Sequence, residues 1–247
     1  MIKILAVGNS FSQDATAYLD RICESANVNA FVRNLYIGGC PLELHAKAIA
    51  DDTVLYQYQK RGEGTDRMVT LTEGLLLENW DIVTFQQKSH YSGIKDTYFP
   101  HITALSEYAK KLCPNAKQYV HKTWAYEHDF DRTELFSTYN NDQILMYTRL
   151  SEAYTLAAAA IDSPIIPSGD VIQTLRTKKP FDYLNGGLSL CRDGFHMSLD
   201  YGRYATAAAW YETIIGKDIR ETTYAPKGTD PDLISLIRET VHDICNK

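Results

Sequence analysis

The sequence has no surplus of positive charge, no long apolar run and no closely paired cysteines, and each of these lacks narrows what the chain can be. Thirty-one acidic residues stand against 25 lysines and arginines, a formal net charge of −6. That balance argues against a nucleic-acid partner held through phosphate contacts. No segment approaches the roughly 18 consecutive apolar residues of a membrane span, and no charged stretch followed by an apolar one precedes the first strand-like run. No membrane partner is expected, and the location expected is cytoplasmic. The five cysteines (Cys23, Cys40, Cys113, Cys191 and Cys245) are odd in number and include no CxxC pair. Reduced thiols in a reducing compartment are therefore expected, not a disulfide framework or a zinc knuckle. Gly8 is not followed by the spaced glycines that let a pyrophosphate approach a backbone. No internal repeat or low-complexity linker interrupts the 247 residues, a length that suits one large domain with a substantial core.

What is present is an alternation of short apolar runs with helical stripes. Lys3 to Val7, Phe31 to Ile37, Asp81 to Phe85, Gln118 to Val120 and Pro164 to Pro167 read as strands, most of them buried on both faces. Ala15, Leu19, Ile22 and Ala26 form one helical stripe, and Leu105, Tyr108, Ala109 and Leu112 another. Longer helices are expected from Asp142 to Ala160, from Leu199 to Ile215 ending at Gly216, and from Pro231 onward, with a further helix opened by a capping Ser168 and carrying Asp170 in its first turn. Strand alternating with helix predicts an α/β fold, a three-layer α/β/α sandwich around a parallel sheet of about five strands. Residues 53–72 break the rhythm. Val54, Tyr56 and Tyr58 alternate, Gly62 to Gly64 turn, and Met68, Val69 and Leu71 return, which predicts a β-hairpin inserted into the sandwich.

The stretch "ILAVGNSFS" starts as a buried strand and stops on small polar residues. In a parallel sheet, ligands gather at the carboxyl ends of strands. Ser10 would stand there on a tight strand-to-helix turn, exposed and close to backbone N–H donors, as a nucleophilic hydroxyl requires. The plainer reading is that Ser10 or Ser12 caps the helix. Near the other end, "CRDGFHMSLDYG" sets Asp193 three residues before His196. A serine nucleophile needs a base, and the base needs a carboxylate to hold its tautomer, so this pair can supply both from one loop.

With "GNSFS", with "IGGC" at Ile37 to Cys40 and with "DGFHMSLDYG", the chain resembles the SGNH (GDSL-like) hydrolases, in particular branches acting on carbohydrate esters, over Ile2 to about Gly216. The resemblance implies a flavodoxin-like single domain over 1–247, with Ser10 as nucleophile and Asp193 and His196 as the acid and base of a triad. The backbone N–H groups of Ser10 and Gly39 would bind the oxyanion. Two blocks depart from the family pattern. Asn9 stands where the first block usually has aspartate, and the third block, usually GxND with an oxyanion-binding asparagine, reads "QQKSHYSG" here. Gln86 has the required donor chemistry, with Gln87 and His90 as alternatives in a shifted alignment.

No cofactor is required by such a reaction, and the expected substrate is a small-molecule or glycan ester, most simply an acetyl ester of a carbohydrate. A thioesterase or lysophospholipase on the same scaffold, and a carbohydrate-binding protein that has lost catalysis, are the alternatives. Trp124 and Tyr126 at the end of the fourth strand line the cleft or pack in the core. His128, Asp129 and Asp131 lie close in sequence but match no metal-ligand spacing, so no metal is expected. Cys40 and Cys191 read as buried thiols, and His45, His101, His121 and His242 as surface or core residues.

Overall fold

The computed structural model describes residues 1–131 and 133–246. Its strands are β1 (Ile2–Gly8), β2 (Ala30–Tyr36), β3 (Tyr56–Lys60), β4 (Glu63–Val69), β5 (Ile82–Phe85), β6 (Lys117–His121) and β7 (Ile165–Ile166), joined in the order β4-β3-β2-β1-β5-β6-β7. The five strands from β2 to β7 in that order run parallel, and β1 is the central strand of the seven. Ile4, Leu5 and Ala6 are wholly buried, as expected of a strand covered on both faces. The register sets Gly8 opposite Tyr36, Val7 opposite Phe85, and Phe85 opposite Val120. The carboxyl ends of β1, β2, β5 and β6 therefore finish along one rim.

The sheet has seven strands where about five were expected. The difference is the hairpin, which is not a separate insertion but an extension of the sheet, with β3 antiparallel to β2 and β4 antiparallel to β3. Tyr56 and Tyr58 point into the core, and the Asn34 side chain donates to Gln59 Oε1 at 3.0 Å across the β2–β3 junction. The turn falls at Arg61 and Gly62, both at positive φ (57° and 73°), one position earlier than expected. This is the backbone a two-residue hairpin favours. From Glu63 to Met68 the edge strand β4 is exposed, and it carries Glu63, Asp66 and Arg67, charges that discourage edge-to-edge pairing.

The helices are α1 (Ser10–Thr16), α2 (Leu19–Ser25), α3 (Leu42–Asp51), α4 (Leu71–Leu76), α5 (His101–Leu112), α6 (Thr133–Phe136), α7 (Gln143–Ala160), α8 (Ser168–Leu175), α9 (Tyr201–Trp210) and α10 (Pro231–Cys245). α9 packs against α1, α2, α8 and α10, while α3, α4 and α5 pack together as a second group, and α7 lies along β6 and β7. The sheet thus has helices on both faces, and one apolar core runs from Ile4 to Val241.

The stripe from Ala15 to Ala26 breaks into α1 and α2. Thr16 Oγ1 bonds back to the Ser12 carbonyl at 2.8 Å, which loosens a helix end. The hairpin turn also presses against this point, with Gln13 donating to the Gly62 carbonyl. The helix expected from Leu199 to Ile215 is α9 followed by a π-helical turn, Tyr211–Ile215, closed by Gly216 at φ 70°. Glu212 in that turn takes the Ile219 N–H and the His242 ring. All five cysteines are free. Among the described residues no helix is long and apolar enough to cross a membrane.

Candidate active site

β1 ends in Gly8, and a side chain there would bring a Cβ to 2.6 Å from Ser12 Oγ and 3.0 Å from Gln86 Cδ. Glycine lets the chain turn under that crowding. Neither serine caps the helix. Asn9 does so, its Oδ1 accepting from the Phe11 N–H at 3.0 Å, while Ser12 is buried and bonds to the Asn9 carbonyl and to Asn34. Asn9 also donates to the Cys40 carbonyl at 3.0 Å and accepts from Gln86 Nε2 at 2.7 Å. An amide can serve both sides of this contact, whereas an ionised aspartate has no donor for Cys40. The turn leaves Ser10 facing outward.

Ser10 Oγ lies 2.9 Å from His196 Nε2, and His196 Nδ1 lies 2.7 Å from Asp193 Oδ2. The three residues expected to act together are brought together across 186 positions of sequence. Partial burial pushes the Asp193 carboxyl up, but the His196 ring and the His196 and Phe195 backbone N–H groups outweigh it and hold the pKa below the ordinary carboxylate value. An ionised Asp193 places the ring proton on Nδ1 and leaves the Nε2 lone pair for the Ser10 hydroxyl. The Phe195 ring lies against the imidazole, tilted by 36° with centroids 3.8 Å apart.

The loop that carries this pair is held from below. The Arg192 N–H donates to the His196 carbonyl, and Cys191 forms a bridge with Met197, so "CRDGFHM" is a closed turn. Asp14, wholly buried in α1, accepts from Arg192 Nη1 at 3.0 Å, Arg203 Nε at 2.8 Å and the Met197 N–H at 2.9 Å. Arg192 also donates to the Met197 carbonyl. A second buried pair, Arg176 with Glu127 at 3.0 Å, holds the far side, where the Glu127 N–H donates to the Gly194 carbonyl at 2.7 Å. Neither Asp14 nor Glu127 was singled out in the sequence.

Above Ser10 opens a pocket of about 420 Å³, whose walls include Tyr36, Gly39, His90, Tyr126 and Phe195. Gly39 sits at φ +60° with open space where a Cβ would be, so backbone conformation explains a glycine there. The Ser10 and Gly39 N–H groups donate to no acceptor among the described residues. Tyr126 and His90 line the pocket, and Tyr126 Oη lies 3.0 Å from Ser89 Oγ.

Two expectations need correction. Gln86 does not reach the pocket: it is 1% exposed, lies beneath the turn, and is committed to Asn9 and His121. Gln87 is equally buried and bridges the Leu42 N–H to Thr97. Trp124 is wholly buried, stacked on Phe11 at 4.3 Å, and belongs to the core. Asp129, Asp131 and Asp193 line a neighbouring hollow with Glu127. There Asp129 accepts from Tyr183 Oη at 2.9 Å, and in the Glu212–Asp218–His242 cluster the Arg220 guanidinium donates to Asp218 and contacts His242.

A buried chain of hydrogen bonds runs below the site across the ends of four strands, β1, β5, β6 and β7. Gln86 Nε2 donates to Asn9, so Gln86 Oε1 accepts from His121 Nδ1 at 2.9 Å, and His121 Nε2 is left to accept from Ser168 Oγ at 3.1 Å. Ser168 therefore serves His121 instead of capping α8, whose cap position is Pro167. Burial pushes the pKa of His121 and of His45 down from 6.5 to about 3. An unfolded chain takes up protons on these rings below about pH 6.5 and the folded one does not, so stability rises with pH between about 3 and 6.5. Urea unfolding is expected to show a loss of about 2 kcal/mol per histidine from pH 7 to pH 5. A flat profile over that interval contradicts the neutral assignment.

The fold is that of the SGNH hydrolases. A protein from Slackia heliotrinireducens described as a candidate SGNH hydrolase superposes with a TM-score of 0.59 at 22% identity, covering 86% of this chain and 98% of its own. A catalytic mutant of Axe2, an acetylxylan esterase from Geobacillus stearothermophilus, does so with a TM-score of 0.54 at 13% identity, covering 88% and 95%. Within that fold the chain belongs to the family described as "Domain of unknown function (DUF4886)", whose model matches residues 3–244. A DUF4886 family protein from Bacteroides uniformis ATCC 8492 is 35% identical over 98% of this chain and 93% of its own, with a TM-score of 0.90. No curated protein sequence matches.

Proposed function

We propose that the chain is a serine esterase that removes short acyl groups, acetyl above all, from carbohydrate esters through Ser10, His196 and Asp193. The observation that carries this reading is the continuous line Ser10 Oγ, His196 Nε2, His196 Nδ1, Asp193 Oδ2, with links of 2.9 Å and 2.7 Å, at the mouth of a pocket. His196 takes the hydroxyl proton as Ser10 attacks the ester carbonyl, and Asp193 stabilises the imidazolium that forms. The oxyanion is met by the Ser10 and Gly39 N–H groups. His196 then protonates the departing alcohol, and a water activated by the same ring releases the acid. Gln86 acts as a positioning residue for Asn9 and takes no part in binding the oxyanion.

Support for a short acyl group comes from a pocket of about 420 Å³ with polar groups among its aromatic walls, and from the fold shared with an acetylxylan esterase. The expected result is a kcat/KM for p-nitrophenyl acetate at least about tenfold above that for p-nitrophenyl octanoate. A preference for octanoate would move the assignment to a lysophospholipase or long-chain thioesterase.

A further inference from the structure

Among the described residues, the pocket over Ser10 is walled without a carboxylate, in a chain whose formal net charge is −6, and its charged lining residues are Lys88 and Arg192. Arg192 is partly neutralised by Asp14, which it shares with Arg203. Lys88 forms no ion pair with a carboxylate among the described residues, and its ammonium lies 5.3 Å from the centroid of the Tyr91 ring.

The backbone holds Lys88 in place just past β5, its N–H donating to Gln87 Oε1 at 2.8 Å and its carbonyl accepting from Tyr91. Its charge is felt at Cys40, beside Gly39, where it partly offsets the burial that raises the thiol pKa. A half-buried ammonium in a concave wall, without a carboxylate to answer it, attracts an anion more strongly than the same group on open surface. Among the described residues, the pocket's Lys88 and Arg192, taken with Arg203, Asp14 and Asp193 in the contacts behind it, leave one net positive charge. One charge matches a carboxylate better than a phosphate dianion. On the far side of Arg192, the neighbouring hollow carries Asp129 and Asp131, which repel an anion from that direction.

We infer that the pocket takes esters bearing a carboxylate, which Lys88 binds beside the reacting group. Resting on the esterase reading above, the substrate is then an acylated acidic sugar of the uronate kind. Lys88 is the residue that selects it over a neutral ester.

The test uses 4-acetoxybenzoate and its neutral isostere 4-acetoxybenzamide. Calorimetry on the Ser10→Ala protein, which cannot turn either over, is expected to show the benzoate binding about tenfold more tightly at low salt, with the preference shrinking as salt is added. Adding Lys88→Met is expected to bring the ratio to about one, while Lys88→Arg keeps it, because the charge is what matters. In the wild-type protein the ratio of kcat/KM for the two esters is expected to follow the binding ratio. Equal affinities, no measurable binding of either ester, or a preference that survives Lys88→Met each overturn the inference. The two readings fail separately. Tight binding of the benzoate without hydrolysis of either ester would remove the esterase and leave the anion site, and equal hydrolysis with equal binding would do the reverse.

Discussion

Ser10→Ala is expected to lower kcat/KM for p-nitrophenyl acetate by about four orders of magnitude, and His196→Ala by a similar amount, with the double variant little worse than either single one. The reasoning is geometric. Without the hydroxyl there is no nucleophile for the ring to activate, and without the ring the hydroxyl keeps its proton near neutral pH. Groups that act as one unit lose their function together, so the losses do not add. Stability should hardly change in Ser10→Ala, because among the described residues the Ser10 hydroxyl bonds only to His196. Thermal unfolding run beside the kinetics separates loss of chemistry from loss of fold. Activity within tenfold of wild type in either single variant would reject the triad.

Asp14→Ala is expected to do two things at once. Its wholly buried carboxylate receives Arg192, Arg203 and the Met197 N–H, and so joins α1, the Asp193–His196 loop and α9. Arg192 and Arg203 are partly exposed and regain some solvation without it, so the loss is about 2 kcal/mol, as for charge-assisted hydrogen bonds. Asp14 also stands one helical turn after Ser10, which makes it the tie between nucleophile and base. Without it the loop loses its register, and kcat should fall by about 10- to 100-fold while KM changes much less, because small misplacements of reacting groups are costly. Asp14→Asn keeps an acceptor for Met197 but not the charge, and should fall between. A folded Asp14→Ala protein with wild-type kcat would show that the loop is placed by other contacts.

The parts of this site that are legible in the sequence are the local ones. An apolar run that stops at Gly8-Asn9-Ser10 marks a strand end, and an Asp-x-x-His spacing puts a carboxylate and a ring on one short loop whatever lies around it. The hairpin's two strands are readable from alternation, but their pairing onto β2 is a contact between distant segments, which alternation alone does not specify. Gln86 fails as an expectation for a related reason. Its chemistry suits an oxyanion, but its direction is set by what lies under the β1 turn, and there Asn9 and His121 claim the amide.

Asp14 left a faint signal. Its position falls on the buried side of α1 with Phe11 and Ala15, where an acid needs a cation, and Arg192 and Arg203 flank the histidine segment. Lys88 lies within "QQKSH", where nothing local distinguishes it from a surface lysine; its charge gains meaning from the pocket around it, which among the described residues contains no acid.

The most direct test of the central claim is a fluorophosphonate reaction with the intact protein, followed by peptide mass spectrometry. The expected result is a single adduct on the peptide carrying Ser10, absent from the Ser10→Ala protein and strongly slowed in His196→Ala. An adduct on another residue, or none on the wild-type protein, would contradict the assignment of Ser10 as an activated nucleophile.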